Sequence, residues 1–159
     1  MTDLIEKPDT AADAGGLYGA FATVFGRSDI DERLRKAGVS LTLQRMAVAH
    51  VMMAVPSHLT ADEVLTRVRG IMPEISRATV YNTLNLFKER GLLREIIVNA
   101  EQIVFDSTTS PHHHFYDVDT GAVTDVPGDE IAVVGTPKLP PDMEVESIEL
   151  VVRVRRRKA

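Results

Sequence analysis

Three consecutive histidines, His112, His113 and His114, lie between Pro111 and Phe115, and they are three of the five histidines in 159 residues. Neutral imidazole is a ready metal ligand. In extended backbone successive side chains alternate between faces, so His112 and His114 share one face while His113 looks the other way. Two imidazoles make half a site. Carboxylates near in sequence can complete it: Asp106 ends the apolar run Gln102-Ile103-Val104-Phe105, and Asp125 follows the turn at Asp119-Thr120-Gly121. A mixed imidazole and carboxylate set suits iron, manganese or zinc. On these residues alone, a solvated histidine run on a loop remains the competing reading.

Composition narrows the chemistry. The chain has no cysteine, so disulfides and thiolate zinc sites are excluded and histidine and carboxylate are left as metal ligands. At 44% apolar residues it is long enough for one ordinary core or two small ones. There is no run of about 18 apolar residues and no basic leader before Gly16, so the expectation is a cytoplasmic protein with no membrane span.

The formal net charge of -5 is unevenly spread. Residues 1–26 carry one Lys against four acids; residues 27–91 carry ten basic against seven acidic side chains; residues 92–159 carry seven against twelve. A basic middle between acidic ends fits a DNA-facing module joined to a carboxylate-rich one.

The elements that must position these groups follow from capping and periodicity. Residues 1–16 show no periodic apolar face and read as a disordered tail, and Leu17 to Phe25 has helical spacing. Ser28 is placed to cap a helix through Lys36 that Gly38 ends, and Thr42 to cap Leu43 to Val55. Thr60-Ala61-Asp62-Glu63 is a capping box for a helix to about Ile71. Ser76 caps Arg77 to Arg90, with Val80, Leu84 and Phe87 inward and Arg77, Thr79, Tyr81, Asn82 and Asn85 on or near its exposed amino-terminal half. Leu92 to Val98 and Gln102 to Asp106 then read as a hairpin.

Helices closed by such a helix, followed by a hairpin, describe a winged helix-turn-helix, whose last helix enters the major groove of double-stranded DNA. Asn82 is suited to pair with adenine and Tyr81 to pack on a thymine methyl, while Arg45, Arg77 and Thr79 are of the phosphate-contacting kind. An amphipathic helix with an ordinary solvated face is the competing reading. His113 to Val118, Ala122 to Val126 and the alternating Ile148 to Val154 read as three strands, with one brief strand more at Ile131 to Val134. A sheet this small covers too little core to stand alone, so a homodimer is expected. The fold class is therefore α+β: a tail at 1–16, an N-terminal winged helix-turn-helix DNA-binding domain at 17–107 with an extra first helix, and a small β-rich dimerisation and metal-sensing domain at 108–159.

Leu41-Thr42-Leu43-Gln44-Arg45, His58-Leu59-Thr60-Ala61-Asp62-Glu63, Ala78-Thr79-Val80-Tyr81-Asn82-Thr83-Leu84, Val104-Phe105-Asp106 and the histidine cluster, in that order, resemble the ferric uptake regulator family from about Asp31 to Arg155. The resemblance implies a metal-dependent repressor that binds palindromic operators as a dimer. It also implies a regulatory site for Fe(II) or Mn(II), which zinc can also occupy in purified protein, on His58, Asp106, His112, His114 and Asp125.

Departures from the family pattern carry information too. Asp117 and Thr120 stand where members often begin a four-cysteine structural zinc site, so that site is absent. Aspartate at both Asp106 and Asp125 resembles the peroxide-sensing branch. The run His112-His113-His114-Phe115 and the segment Leu139-Pro140-Pro141-Asp142-Met143 resemble the haem-responsive iron response regulators, which makes His113 a candidate haem or second-metal ligand. Ser40 stands where a basic minor-groove residue is usual. The signal is thus iron, haem or peroxide. The rival class is a non-haem iron enzyme using His112, His114 and one aspartate, but such triads sit in larger β-barrels than this chain can form.

Overall fold

The structure is a computed structural model that describes residues 29–128, 130–135 and 137–157. The expected tail, the helix at Leu17 to Phe25 and the Ser28 cap lie outside the described residues. Four helices and six strands follow in order: α1 (Asp29–Lys36), α2 (Leu43–Met53), β1 (His58–Thr60), α3 (Ala61–Arg69), α4 (Arg77–Glu89), β2 (Arg94–Asn99), β3 (Gln102–Asp106), β4 (His114–Asp117), β5 (Val123–Asp125) and β6 (Val151–Val154). Among the described residues no helix is long and apolar enough to cross a membrane.

The local signals act as their chemistry requires. Thr42 accepts from the Arg45 amide and Ser76 from the Thr79 amide, each satisfying an orphan N–H at a helix start. Thr60 and Glu63 complete the reciprocal capping box at the start of α3. Gly38 and Gly91 sit at φ 69° and 68°, the left-handed conformation that closes α1 and α4. There Val39 N–H reaches back to Leu34 and Leu92 N–H to Phe87. α2 is shorter than expected: it ends at Met53 rather than Val55, and Val55 is 64% exposed.

Leu34, Val48, Met52, Val64, Val68, Val80, Leu84 and Phe87 are fully buried in one core, joined by Leu59 of β1 and Phe105 of β3. Each such side chain stabilises the fold by roughly 1.5–3 kcal/mol on burial. β1 pairs antiparallel with β3, which pairs with β2, giving the sheet order β1-β3-β2. β1 has no signature in the sequence, because three residues carry no period.

The second sheet has the order β5-β4-β6, with β4 and β5 antiparallel and β4 and β6 parallel. Residues 131–134 form no strand, and β6 begins at Val151 rather than Ile148. Ile148, Leu150 and Val154, which share one face of the expected alternating strand, are exposed within one chain. A second, smaller core of Ile96, Val98 and Val104 against Tyr116 and Val123 joins the two sheets. Arg153 ties them further, donating to the Val98 carbonyl at 2.6 Å and lying over the Tyr116 ring.

Candidate metal centre and nucleic-acid interface

The antiparallel register sets His58 of β1 opposite Asp106 of β3, and in the second sheet sets His114 of β4 opposite Asp125 of β5. Each sheet thus offers an imidazole and carboxylate pair at a strand end. His112 lies two residues before the start of β4, and its ring centroid is 4.3 Å from that of His114. His58, Asp106, His112 and His114 bring one ligand atom each to within 4.8 Å of one another. Asp125 joins them, with Oδ1 at 2.8 Å from His58 Nε2, 3.0 Å from His112 Nε2 and 3.8 Å from His114 Nε2. Asp106 lies 3.2–3.5 Å from the three Nε2 atoms. All five residues expected from the sequence are therefore brought together, at the junction of the two sheets.

These distances match a donor set. Ligand atoms about 2.1 Å from a common ion lie roughly 3–4 Å apart, whereas five groups paired only with each other would align their hydrogen bonds. Here most do not: His112 Nε2 and Asp125 Oδ1 align at 3.0 Å, but His58 Nε2, Asp106 Oδ2 and both ring nitrogens of His114 are buried with no aligned hydrogen-bond partner. Buried polar atoms are seldom left so, because each costs about 1–3 kcal/mol. His112 makes the point through its tautomer. Its Nδ1 lies 2.7 Å from the Ser110 carbonyl, an oxygen that can only accept, so Nδ1 carries the proton. In the neutral ring Nε2 then turns a lone pair toward the Asp125 carboxylate, an arrangement that a cation between them makes favourable. The donor set of three imidazoles and two carboxylates fits a divalent transition metal.

Electrostatics agree. Desolvation lowers the His58 pKa below its ordinary 6.5, against the opposing pull of Asp106 and Asp125, and so favours the neutral, ligating imidazole. Burial acts to raise the Asp106 pKa, but His114, the Thr108 amide, His58 and His112 outweigh it, and the pKa ends below the ordinary carboxyl value, which favours the ionised form. The Thr108 N–H donates to Asp106 Oδ1 at 2.7 Å.

Sequence reasoning missed the residues that brace this centre. Ser57 Oγ donates to the Met52 carbonyl at 2.8 Å, Ser57 N–H donates to Ser107 Oγ at 2.9 Å, and Ser107 N–H donates to the Ser57 carbonyl. The two buried serines thus lock the ends of β1 and β3 together beside His58 and Asp106. Adjacency to the two ligands was the only sequence signal for them. His113 stands apart, with Nδ1 accepting from the Leu150 amide at 3.3 Å, and haem finds no support at this position.

The five residues expected at the nucleic-acid interface divide into two groups. Arg45, Thr79 and Asn82 line an open cleft of about 260 Å³ together with Thr42, Gln44, Thr83 and Leu86, between the start of α2 and one side of α4. Arg45 is held there by Ser40, through both its carbonyl and its hydroxyl. Neither helix bears an acidic residue in its first turn, unlike α1 and α3. Arg77 and Tyr81 instead lean on α3: Arg77 pairs with Asp62, and the Tyr81 hydroxyl donates to Asp62 Oδ1 at 3.1 Å.

Comparison with known proteins places these features. The ferric uptake regulator family model matches residues 36–153. The chain is 38% identical over 92 residues to the peroxide-responsive repressor PerR of Staphylococcus epidermidis, a match covering 58% of this chain and 61% of that protein. It is 37% identical over 94 residues to the peroxide operon regulator of Bacillus subtilis, covering 59% and 65%. The chain thus spans less than two thirds of the length of these relatives. Among solved structures, the ferric uptake regulator of Pseudomonas aeruginosa with manganese superposes with a TM-score of 0.59 at 24% identity, over 80% of this chain and 98% of that one. The Vibrio cholerae ferric uptake regulator gives 0.60 at 24% identity, over 79% and 98%. These likenesses establish the fold: a winged helix followed by a small β-rich unit.

Proposed function

The chain belongs to the ferric uptake regulator family, and on that premise we propose that it is a metal-dependent transcriptional repressor that binds palindromic operators as a homodimer. The observation that carries the reading is the five-residue centre with unpartnered buried donors, fed by both sheets. His58 and Asp106 belong to the sheet that closes the helical core, and His112, His114 and Asp125 to the second sheet or its approach. A metal held by all five would tie the DNA-reading helices to the second unit. Fe(II) or Mn(II) is the proposed ion, and zinc can take the same donors in purified protein.

Residues 17–107 are assigned to DNA binding and 108–159 to dimerisation and metal sensing. Leu139, Met143, Val145, Ile148 and Leu150 are exposed apolar groups in the second unit, and a second copy of the chain would cover them. Two reading helices then face successive half-sites, with Asn82 and Tyr81 reading bases and Arg45 and Thr79 meeting phosphate, beside an Arg77 that is paired with Asp62. The enzyme alternative, a two-histidine and one-carboxylate triad, has no support from the family or the fold.

The test is metal content of the purified protein, then DNA binding with and without manganese. Binding that strengthens with metal and weakens steeply with salt is expected; binding indifferent to both sinks the proposal. Peroxide is the signal best supported, because both carboxylates are aspartates and the curated relatives are peroxide regulators. Mass spectrometry of iron-loaded protein after mild peroxide is expected to find one added oxygen on His58 or His112. An unmodified protein would point to reversible metal occupancy as the signal.

A further inference from the structure

We infer that Asp62 is a positioning residue for DNA reading, which fixes the Tyr81 ring and withholds the Arg77 charge from phosphate. The inference rests on the regulator reading above. Asp62 lies in the first turn of α3, outside the reading helix, yet its side chain makes two bonds to α4. One oxygen, Oδ1, both pairs with the Arg77 guanidinium and accepts from the Tyr81 hydroxyl at 3.1 Å. The guanidinium in turn lies 5.6 Å above the centre of the Tyr81 ring. Three side chains on two helices therefore hold one arrangement at the exposed amino-terminal half of α4.

Two consequences follow for binding. A base-reading ring with its hydroxyl anchored loses little freedom when it meets a thymine methyl, so its contact counts more toward selection of sequence. A cation already paired with a carboxylate adds less to the attraction that every duplex exerts through its phosphates. Both effects raise preference for the operator over other DNA. Exposed ion pairs are individually weak; what sets this one apart is that the same carboxylate oxygen also holds the tyrosine. Arg45 offers the contrast, since Ser40 orients its guanidinium with neutral oxygens and leaves its charge available.

The experiment uses the full chain loaded with manganese, a duplex selected by the wild-type protein from a random pool, and a scrambled duplex of the same composition. Affinities are measured across a salt series for wild type, Asp62→Asn, Asp62→Ala, Arg77→Ala and the double variant Asp62→Asn with Arg77→Ala. Asp62→Asn keeps an acceptor for Tyr81 and removes the charge. It should steepen the slope of log affinity against log salt by about 0.9, the contribution of one added phosphate contact, on both duplexes. In the Arg77→Ala background the same change should leave the slope where Arg77→Ala alone puts it. Asp62→Ala also removes the acceptor and should lower the ratio of selected to scrambled affinity several-fold. An unchanged slope in Asp62→Asn, a steepening that persists without Arg77, or an unaltered ratio in Asp62→Ala overturns the inference while the regulator reading stands. Wild-type protein that selects no duplex at all overturns that reading, and the inference with it.

Discussion

Replacing Asp106 by asparagine separates a metal ligand from a structural carboxylate. Asp106 is fully buried, its Oδ1 accepts the Thr108 N–H at 2.7 Å, and its Oδ2 has no aligned partner. Asparagine retains a carbonyl oxygen for Thr108 and nearly the same volume, so no cavity opens. What disappears is the negative charge beside three imidazoles. In metal-free protein the lost attraction and the avoided burial of charge oppose each other, and the net change is expected within about 1 kcal/mol, the scale of one hydrogen bond. With metal the outcome differs. An ion present at 100 times its dissociation constant stabilises the native state by about 2.7 kcal/mol, which for a chain of this size corresponds to roughly 5–10 °C in Tm. Asp106→Asn should lose most of that shift. Thermal unfolding of metal-stripped protein, with and without manganese, reads both quantities. A variant that keeps the wild-type manganese shift would show that Asp106 is no ligand, and one that unfolds in the metal-free state would show that the carboxylate is needed for folding itself.

Three further outcomes are expected. His112→Ala or His114→Ala abolishes manganese binding in titrations while His113→Ala leaves it intact, because His113 Nδ1 is turned to the Leu150 amide; equal losses in all three would place His113 in the centre. The lowered His58 pKa makes metal-free stability depend on pH: between 6.5 and the lower native value the unfolded chain binds the proton and the native chain does not, so stability is lost as pH falls below 6.5 and levels off once native His58 is also protonated. Urea unfolding of metal-free wild type and His58→Gln across that window checks it, with a shallower dependence expected for the variant. Asn82→Ala should lose about 1–3 kcal/mol of discrimination at one base step per half-site, measured against single-base variants of a selected duplex, and equal losses on selected and scrambled DNA would remove Asn82 from base reading.

What local sequence dictates, this chain states openly. A hydroxyl at Thr42, Thr60 and Ser76 begins a helix because it satisfies an orphan amide within three residues, and glycine at Gly38 and Gly91 ends one because only a residue without Cβ enters the left-handed region at little cost. The inward set Val80, Leu84 and Phe87 follows from the helical period, and the pairing of His112 with His114 from the strand period. All these signals act over a few residues. The full donor set was legible only through resemblance, since no periodicity relates His58 to Asp106 or to Asp125.

Tertiary structure alone decided how those ligands meet. β1 is three residues long and becomes a strand only because β3 offers its edge, and the register His58↔Asp106 exists once that pairing forms. His114↔Asp125 likewise depends on the pairing of β4 with β5, and the approach of the two pairs on the small core of Ile96, Val98, Val104, Tyr116 and Val123. The Asp62 contacts with Arg77 and Tyr81, and the exposure of Val55 and Ile148, were hidden for the same reason. Side-chain partners across elements are fixed by packing geometry, which a single chain's local pattern constrains only through the faces it makes apolar.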